Sequence, residues 1–187
     1  IIKDKDEIIL KPMKTLYIIG NGFDIMHGVP SGYYNFRDSL GKHSDLREAL
    51  ETYIKKRDLW ADFEEGLAAI DADTMIAGLD EWMDTYNAYD TDAQAADFYL
   101  AVEAAIRPTQ VIMDELPKRF RKWINTLSPH IDNKPLKGII NFGERYINFN
   151  YTEFLETIYD VSEKNVVYLH GCRKNKREKL ILGHSQV

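Results

Sequence analysis

Cysteine is almost absent from this chain of 187 residues, in which Cys172 stands alone. A single thiol excludes a disulfide framework and a structural zinc site built from several thiolates within one chain. The sequence also lacks the apolar run of roughly 18 residues that a transmembrane helix needs. Its first residues are charged throughout and lack the apolar stretch of a signal peptide. These absences predict a protein of the reducing cytoplasm with no membrane span.

Positive charge is absent from a long central part of the sequence. The formal net charge is −6, and neither Lys nor Arg occurs between Arg57 and Arg107. A nucleic-acid partner needs a broad basic surface that displaces counterions from phosphates, so this charge balance argues against one. The acidic central part is expected to be a solvated helical surface. The hydrophobic content of 44% is ordinary for a globular chain, and the length predicts one domain over residues 1–187.

Short runs rich in β-branched and aromatic residues predict the strands of a sheet. They occupy residues 15–19, 146–149, 166–169 and 180–182, and the first run stops at a glycine turn. A helix-like run at residues 153–159 separates the second strand from the third. Strand, helix and strand at this spacing form a βαβ unit, which implies parallel pairing. We therefore predict an α/β, Rossmann-like fold with a mostly parallel sheet.

A long helical insertion is predicted between the two sheet segments. It covers approximately residues 33–128, and the sheet segments cover approximately 13–32 and 136–187. Apolar periodicity places its helices at residues 44–56, 60–70, 74–86 and 93–106, with another after Pro117. Pro108 is expected to interrupt the fourth of these helices.

Aromatic residues on the helical stripes of the insertion are expected in the core. Trp60 and Phe63 share one stripe, and Trp123 lies on another. Aromatic side chains at helical spacing usually pack inward, so these residues are not expected to contact a partner. The remaining surface of the insertion is where we expect two copies to meet if the protein forms a homo-oligomer.

The first candidate site is the sequence GNGFD at residues 20–24, directly after the first strand. Glycines at the carboxyl end of a parallel strand let backbone N–H groups approach a phosphate closely. An alternative remains open, because Asn21 and Gly22 are also a favoured two-residue hairpin turn. Asp24 would repel a phosphate, so it suits either the capping of the next helix or a hydrogen bond from a ribose hydroxyl.

Two further candidates follow later strands of the predicted sheet. Asn150 and Thr152 lie between a strand and a helix, where an amide can orient a water or a sugar hydroxyl, although either side chain could instead cap the helix. His170 closes the next strand and could act as a general base or be structural. His184 follows the last predicted strand in the same way. The other histidines have no metal-ligand spacing, so we expect no metal.

A basic run at residues 173–179 separates the last two predicted strands. We interpret it as a solvated turn, with attraction of an anionic ligand as the alternative. The three candidate sites all follow strands that are expected to be parallel. Their joint position at one sheet edge therefore indicates a single ligand site more strongly than any one motif does.

The motifs together resemble the bacteriophage abortive-infection AbiH-like family. The resemblance is carried by LYIIGNGFD at residues 16–24, FNYTEFLE at 149–156, LHG at 169–171 and LGH at 182–184, with WADFE at 60–64 in the helical part. A more distant similarity links the chain to sirtuin-like NAD-binding domains. Their glycine loop matches the spacing of Gly20, Gly22, Gly28 and Pro30 here, and their catalytic His-Gly pair matches His170 and Gly171.

The resemblance implies NAD or a related nucleotide as substrate or ligand. It implies catalytic roles for Asn150 and His170, and we expect Asp24 to join them by supplying negative charge near the cation that develops on the ribose. The residues that it implies for cofactor binding are Gly20, Asn21, Gly22, Phe23, Gly28, Pro30, Arg37, Thr152, Gly183 and His184. The expected activity is hydrolysis of NAD to ADP-ribose and nicotinamide in antiphage defence. The alternatives are a non-catalytic nucleotide-binding sensor or interaction module, and a magnesium-dependent nuclease that uses Asp24.

Overall fold

A computed structural model describes residues 15–71, 73, 95–132, 134–141 and 143–183. The helix predicted for residues 74–86 and the candidate ligand residue His184 lie outside the described residues. Within the described ranges, no helix combines the length and apolar character that crossing a bilayer requires.

Three short strands form a parallel sheet. They are β1 (Leu16–Ile19), β2 (Arg145–Asn148) and β3 (Val166–Tyr168), in the spatial order β1-β2-β3. Ile19 pairs with Asn148, which in turn pairs with Tyr168. The strands lie within one residue of the predicted bounds, and the predicted parallel pairing is confirmed. The protein is a mixed α/β structure with a small open sheet.

The connection from β2 to β3 is the predicted crossover helix. This helix, α6, spans Phe154–Tyr159, and a single 3₁₀ turn at Glu163–Asn165 leads into β3. Leu155 and Ile158 of α6 are fully buried. One apolar face of α6 therefore packs inward, as the βαβ unit requires.

The strand predicted at residues 180–182 is wrong. The segment has no strand conformation, although the N–H of Ile181 donates to the carbonyl oxygen of His170 at 2.9 Å. Gly171 adopts φ +80 directly after that carbonyl, which turns the chain away from the line of β3. A short apolar run cannot distinguish a strand from an extended packed segment, and the sequence gives no signal for this turn.

Five helices precede the second strand in the described residues. They are α1 (Asn21–Met26), α2 (Tyr33–Leu40), α3 (Asp45–Tyr53), α4 (Phe63–Leu67) and α5 (Ala95–Ile124). Ser44 caps α3, because its side chain accepts a hydrogen bond from the N–H of Arg47 at 3.4 Å. The predicted helix over residues 60–70 contracts to α4, and Ile70 forms an antiparallel bridge with Ile54 instead. That bridge also ends α3 before Lys56.

Helix α5 continues through Pro108 and Pro117, so the predicted interruption at Pro108 is wrong. A proline inside a helix costs about 3 kcal/mol because it removes a hydrogen bond and crowds the preceding turn. The core face of α5 buries Ile112, Leu116, Phe120, Trp123 and Ile124. Each such side chain contributes about 1.5–3 kcal/mol, so the sum outweighs the penalty of one proline.

An aromatic cluster joins the helices into one core. Phe36 on α2 is fully buried, and its ring centroid lies 5.2 Å from Trp123, 5.3 Å from Phe120 and 5.9 Å from Phe63. Trp60 stacks on Phe63 at 5.2 Å. The prediction that Trp60, Phe63 and Trp123 belong to the core is confirmed. This cluster holds α2, α4 and α5 beside the carboxyl edge of the sheet.

Candidate functional site

A cavity of about 370 Å³ lies at the carboxyl edge of the sheet. The loops after β1 and β2 contribute to its lining, and so does His170, which follows β3. Of the predicted site residues, it is lined by Asn21, Asp24, Asn150, Thr152 and His170. Parallel strands end at the same edge, so residues more than a hundred positions apart meet there.

The Asp24 side chain is the buried polar centre of this site. Only 2% of the residue is exposed, and its two carboxylate oxygens accept hydrogen bonds from Asn150 Nδ2 at 2.9 Å and Thr152 Oγ1 at 2.7 Å. Burial raises the pKa of Asp24 from 3.8 to about 6, against the lowering effects of those two donors and of the Arg173 charge. Asp24 lies inside α1, and Asn150 and Thr152 bond to it rather than capping α6. The capping alternatives are therefore wrong.

Asn148 fixes the backbone of Asn150. Asn148 is 1% exposed, and its Oδ1 accepts a hydrogen bond from the backbone N–H of Asn150 at 2.9 Å. This local turn ends β2 and points the following loop toward α1. Asn148 begins the candidate motif at residues 148–152 but was assigned no separate role from the sequence, although the spacing Asn-x-Asn at the end of a strand is the signal of such a turn.

His170 lies between two aromatic rings at the cavity wall. Its ring centroid is 5.5 Å from Phe149 and 5.7 Å from Tyr151. Its Nδ1 atom is buried and has no hydrogen-bond partner among the described residues. A buried polar atom without a partner is rare, and a ligand or water would satisfy it. The proposed general base therefore lines the same cavity as Asp24.

The glycine loop has room for a ligand beside it. Helix α1 begins at Asn21, so the hairpin alternative for Asn21 and Gly22 is wrong. Gly20 and Gly22 are exposed, and a Cβ atom at either position would meet no described atom within 4 Å. Gly20 has φ −124, which any residue adopts. Steric crowding therefore does not explain either glycine, and backbone strain does not explain Gly20. Close approach of a ligand to the backbone would explain both.

Gly28 and Gly183 have conformational reasons to be glycine. Gly28 has φ +76, and a Cβ there would lie 2.3 Å from the His130 ring. Gly183 also has φ +76, and its Cβ would lie 3.4 Å from the carbonyl oxygen of Glu64. These positions are explained by the fold alone, so their match to a ligand-binding pattern carries less weight.

The structure does not place the other predicted ligand residues on the cavity lining. Phe23 is buried against His27 and Tyr159 in the core. Pro30 is exposed, and Arg37 pairs with its neighbour Asp38 at 2.9 Å.

Sequence analysis missed the role of Glu64, which also lines the cavity. The Tyr33 hydroxyl donates to its carboxylate, and the Tyr151 hydroxyl lies 3.3 Å from its Oε1 while donating to the Ile181 carbonyl at 2.9 Å. Burial raises the pKa of both tyrosines, so both remain protonated donors. The motif WADFE carried the signal, but its resemblance suggested no role for the glutamate.

The cavity is acidic. Asp24, Asp62, Glu64 and Glu65 line it, and among its described lining residues there is no Lys or Arg. The described residues contain no cluster of three His, Cys, Asp or Glu side chains that could hold a metal ion.

Arg173 is an anchor rather than part of a solvated turn. Its guanidinium makes two bonds of 2.9 Å to the Glu153 carboxylate and two of 2.7 Å to the carbonyl oxygens of Ile124 and Leu127. Its side chain is 14% exposed. The interpretation as a solvated turn is thus wrong for Arg173, whereas residues 174–179 are exposed as expected.

These features define an α/β protein with an acidic, partly aromatic cavity at the carboxyl edge of a parallel sheet. The sequence model of the family described as "Bacteriophage abortive infection AbiH" matches residues 16–187. The chain belongs to the AbiH family, as its motifs indicated. No curated protein and no solved structure matches it.

Proposed function

We propose that this AbiH protein acts in abortive infection by binding NAD or a related nucleotide and hydrolysing its N-glycosidic bond to give ADP-ribose and nicotinamide. Membership of the family indicates a role in phage abortive infection. The observation that carries the chemical proposal is the buried Asp24 carboxyl, held by Asn150 and Thr152 in the cavity that His170 also lines.

The chemistry of this bond suits a carboxylate and an imidazole. Cleavage passes through an oxocarbenium-like state, whose positive charge a nearby carboxylate such as Asp24 would stabilise. The bond between ribose C1′ and the pyridinium nitrogen breaks, and its electron pair neutralises the departing nicotinamide. Water forms the new bond to C1′ and passes its proton to His170. General-base help of this kind contributes on the order of 10²–10⁴ in rate.

The finer fold assignment is part of the same proposal. In a sirtuin-like, Rossmann-like arrangement, Gly20, Asn21 and Gly22 lie against the diphosphate, and the ribose points to Asn150. The open space beside the two glycines supports this placement.

Nicotinamide release tests the activity directly. Purified protein is incubated with NAD, with and without a lysate of phage-infected cells, and nicotinamide is quantified by chromatography. We expect Asn150→Ala and His170→Ala each to lower the rate by at least tenfold, while Lys174→Ala, at an exposed side chain, leaves it unchanged. Turnover that survives in both cavity variants would contradict the assigned mechanism.

A non-catalytic nucleotide sensor is the second candidate. Both donors to Asp24 also tie the loop after β2 to α1, so they could hold a binding site without reacting. Saturable binding of NAD without nicotinamide release, in the presence of the lysate, would favour this role.

A further inference from the structure

The carboxylates of the cavity differ in how far their charges are compensated. Asp62 and Glu65 both contact Lys56, whose ammonium group lies 3.4 Å from the Asp62 carboxylate. Glu64 instead accepts a hydrogen bond from the neutral hydroxyl of Tyr33, and its other close polar neighbour is the neutral Tyr151 hydroxyl at 3.3 Å. Hydroxyl donors stabilise a carboxylate without cancelling its charge. Glu64 therefore contributes a negative potential that the cavity itself does not neutralise.

Asp24 has neutral partners as well. Asn150 and Thr152 donate to it, and Arg173, whose positive charge lowers the pKa of Asp24, is already engaged by the Glu153 carboxylate. Two carboxyls with neutral partners therefore face one partly enclosed space, where charge interactions are stronger than in water.

Apolar and aromatic residues form much of the remaining wall of the cavity. Phe120, Trp123 and Phe149 are part of its lining. Aromatic faces attract cations and planar rings, in contrast to phosphates. A negative potential and an aromatic wall together favour a flat, positively charged ring.

From this lining we infer that the cavity selects the cationic pyridinium riboside half of its ligand, with Glu64 as the residue that sets the charge preference. This inference rests on the proposed function, because it names which half of the dinucleotide enters the cavity. It predicts that a pyridinium riboside without any phosphate binds, whereas an anionic ligand without the pyridinium ring binds more weakly than NAD.

Calorimetric titration with NAD and three related probes tests the inference. Nicotinamide riboside is cationic, reduced nicotinamide riboside has nearly the same shape but no charge, and ADP-ribose is anionic. We expect the cationic riboside to bind at least tenfold more tightly than its reduced form, from one uncompensated charge in a low-dielectric site. We expect ADP-ribose to bind more weakly than NAD by a similar factor.

A charge-neutral variant assigns the preference to one residue. Glu64→Gln keeps an oxygen that accepts from the Tyr33 hydroxyl but removes the charge, and it should weaken the cationic riboside about tenfold while leaving the reduced form within twofold. The matched control is Glu163→Gln, which removes one negative charge at an exposed position outside the cavity. It should change neither affinity by more than twofold.

The outcomes separate this inference from the proposed activity. Equal affinity for the two ribosides, no binding of either, or equal effects of Glu64→Gln and Glu163→Gln would overturn the charge selection, even if NAD is hydrolysed. Charge-selective binding without nicotinamide release supports it and leaves the sensor role as the function. Thermal melting of both variants, expected within about 2 °C of the parent, confirms that a lost affinity is not lost folding.

Discussion

The side-chain amide of Asn150 donates a hydrogen bond to the carboxylate of Asp24 at 2.9 Å, across 126 residues of sequence. The bond joins the loop after β2 to α1, and the Thr152 hydroxyl donates a second hydrogen bond to the same carboxylate. A buried carboxylate with neutral donors is costly to the fold, because its charge has left water without a cation beside it. Such a cost is common at functional sites.

Replacement of Asp24 by Asn should stabilise the protein at neutral pH. The pKa of Asp24 is about 6 in the folded state against 3.8 in an unfolded chain, and each unit corresponds to about 1.4 kcal/mol. Between these values the folded state holds the proton more tightly, so this group lowers stability as pH rises from about 4 to about 6. Asp24→Asn should therefore gain about 3 kcal/mol above pH 6 and nothing below pH 4.

Urea unfolding of parent and variant at several pH values measures this difference. Asp38→Asn is the control, because the Asp38 side chain is 62% exposed and pairs with Arg37. Its stability should follow the pH dependence of the parent. An Asp24→Asn variant that is less stable than the parent at pH 8 would show that the carboxylate holds the fold together.

Two glycines of the first loop should respond differently to alanine. Gly28→Ala places a side chain at φ +76, which alone costs about 1–2 kcal/mol, and the total should be higher because the new Cβ would lie 2.3 Å from the His130 ring. Gly22→Ala lies in α1 with no described atom within 4 Å of the new Cβ, so stability should change by less than about 1 kcal/mol.

Titration with NAD separates fold from ligand contact at Gly22. If the backbone there approaches the diphosphate, Gly22→Ala should weaken NAD binding by at least tenfold although it folds normally. Unchanged affinity would remove the glycine loop from the ligand site.

Arg173→Ala should destabilise the protein by about 3 kcal/mol, because it leaves a half-buried carboxylate and two carbonyl oxygens without their donor. Burial raises the pKa of Glu153, but the hydrogen bonds from Arg173 hold this pKa below 4.5. The stabilisation is therefore present at neutral pH and is lost as pH falls below that value. Lys174→Ala, at an exposed pair with Glu163, should cost less than about 1 kcal/mol. Thermal denaturation at pH 7 compares the two.

Tyr159→Phe should cost about 2 kcal/mol. The Tyr159 hydroxyl donates to His27 Nε2 at 2.8 Å and accepts from the N–H of Leu136 at 2.9 Å, and His27 is fully buried. Its loss leaves both partners unsatisfied. Tyr34→Phe, which removes a hydroxyl at a 42% exposed residue, should be nearly neutral in the same denaturant titration. Equal costs in the two variants would contradict the role of burial.

The sequence predicted the elements whose signal is local. β1 to β3 and α6 follow from apolar runs of the right length, and the shared edge of Asp24, Asn150 and His170 follows from parallel pairing. The continuation of α5 through Pro108 was not predicted, because burial of the core face of this helix outweighs the local cost of a proline. Glu64 and Arg173 were missed because their partners lie far away in sequence. The nucleotide ligand, the absence of a nucleic-acid partner, the homo-oligomer, the single domain and the cytoplasmic location stay predictions.

The sheet register has a consequence for how this chain can vary. Ile19, Asn148 and Tyr168 occupy one rung, and Tyr146 is fully buried two residues before Asn148. Deleting one residue between Tyr146 and Asn148 would move one of these two side chains to the opposite face of the sheet, since neighbouring strand residues face opposite sides. Substitutions within these strands should thus be easier to accommodate than any change in their length.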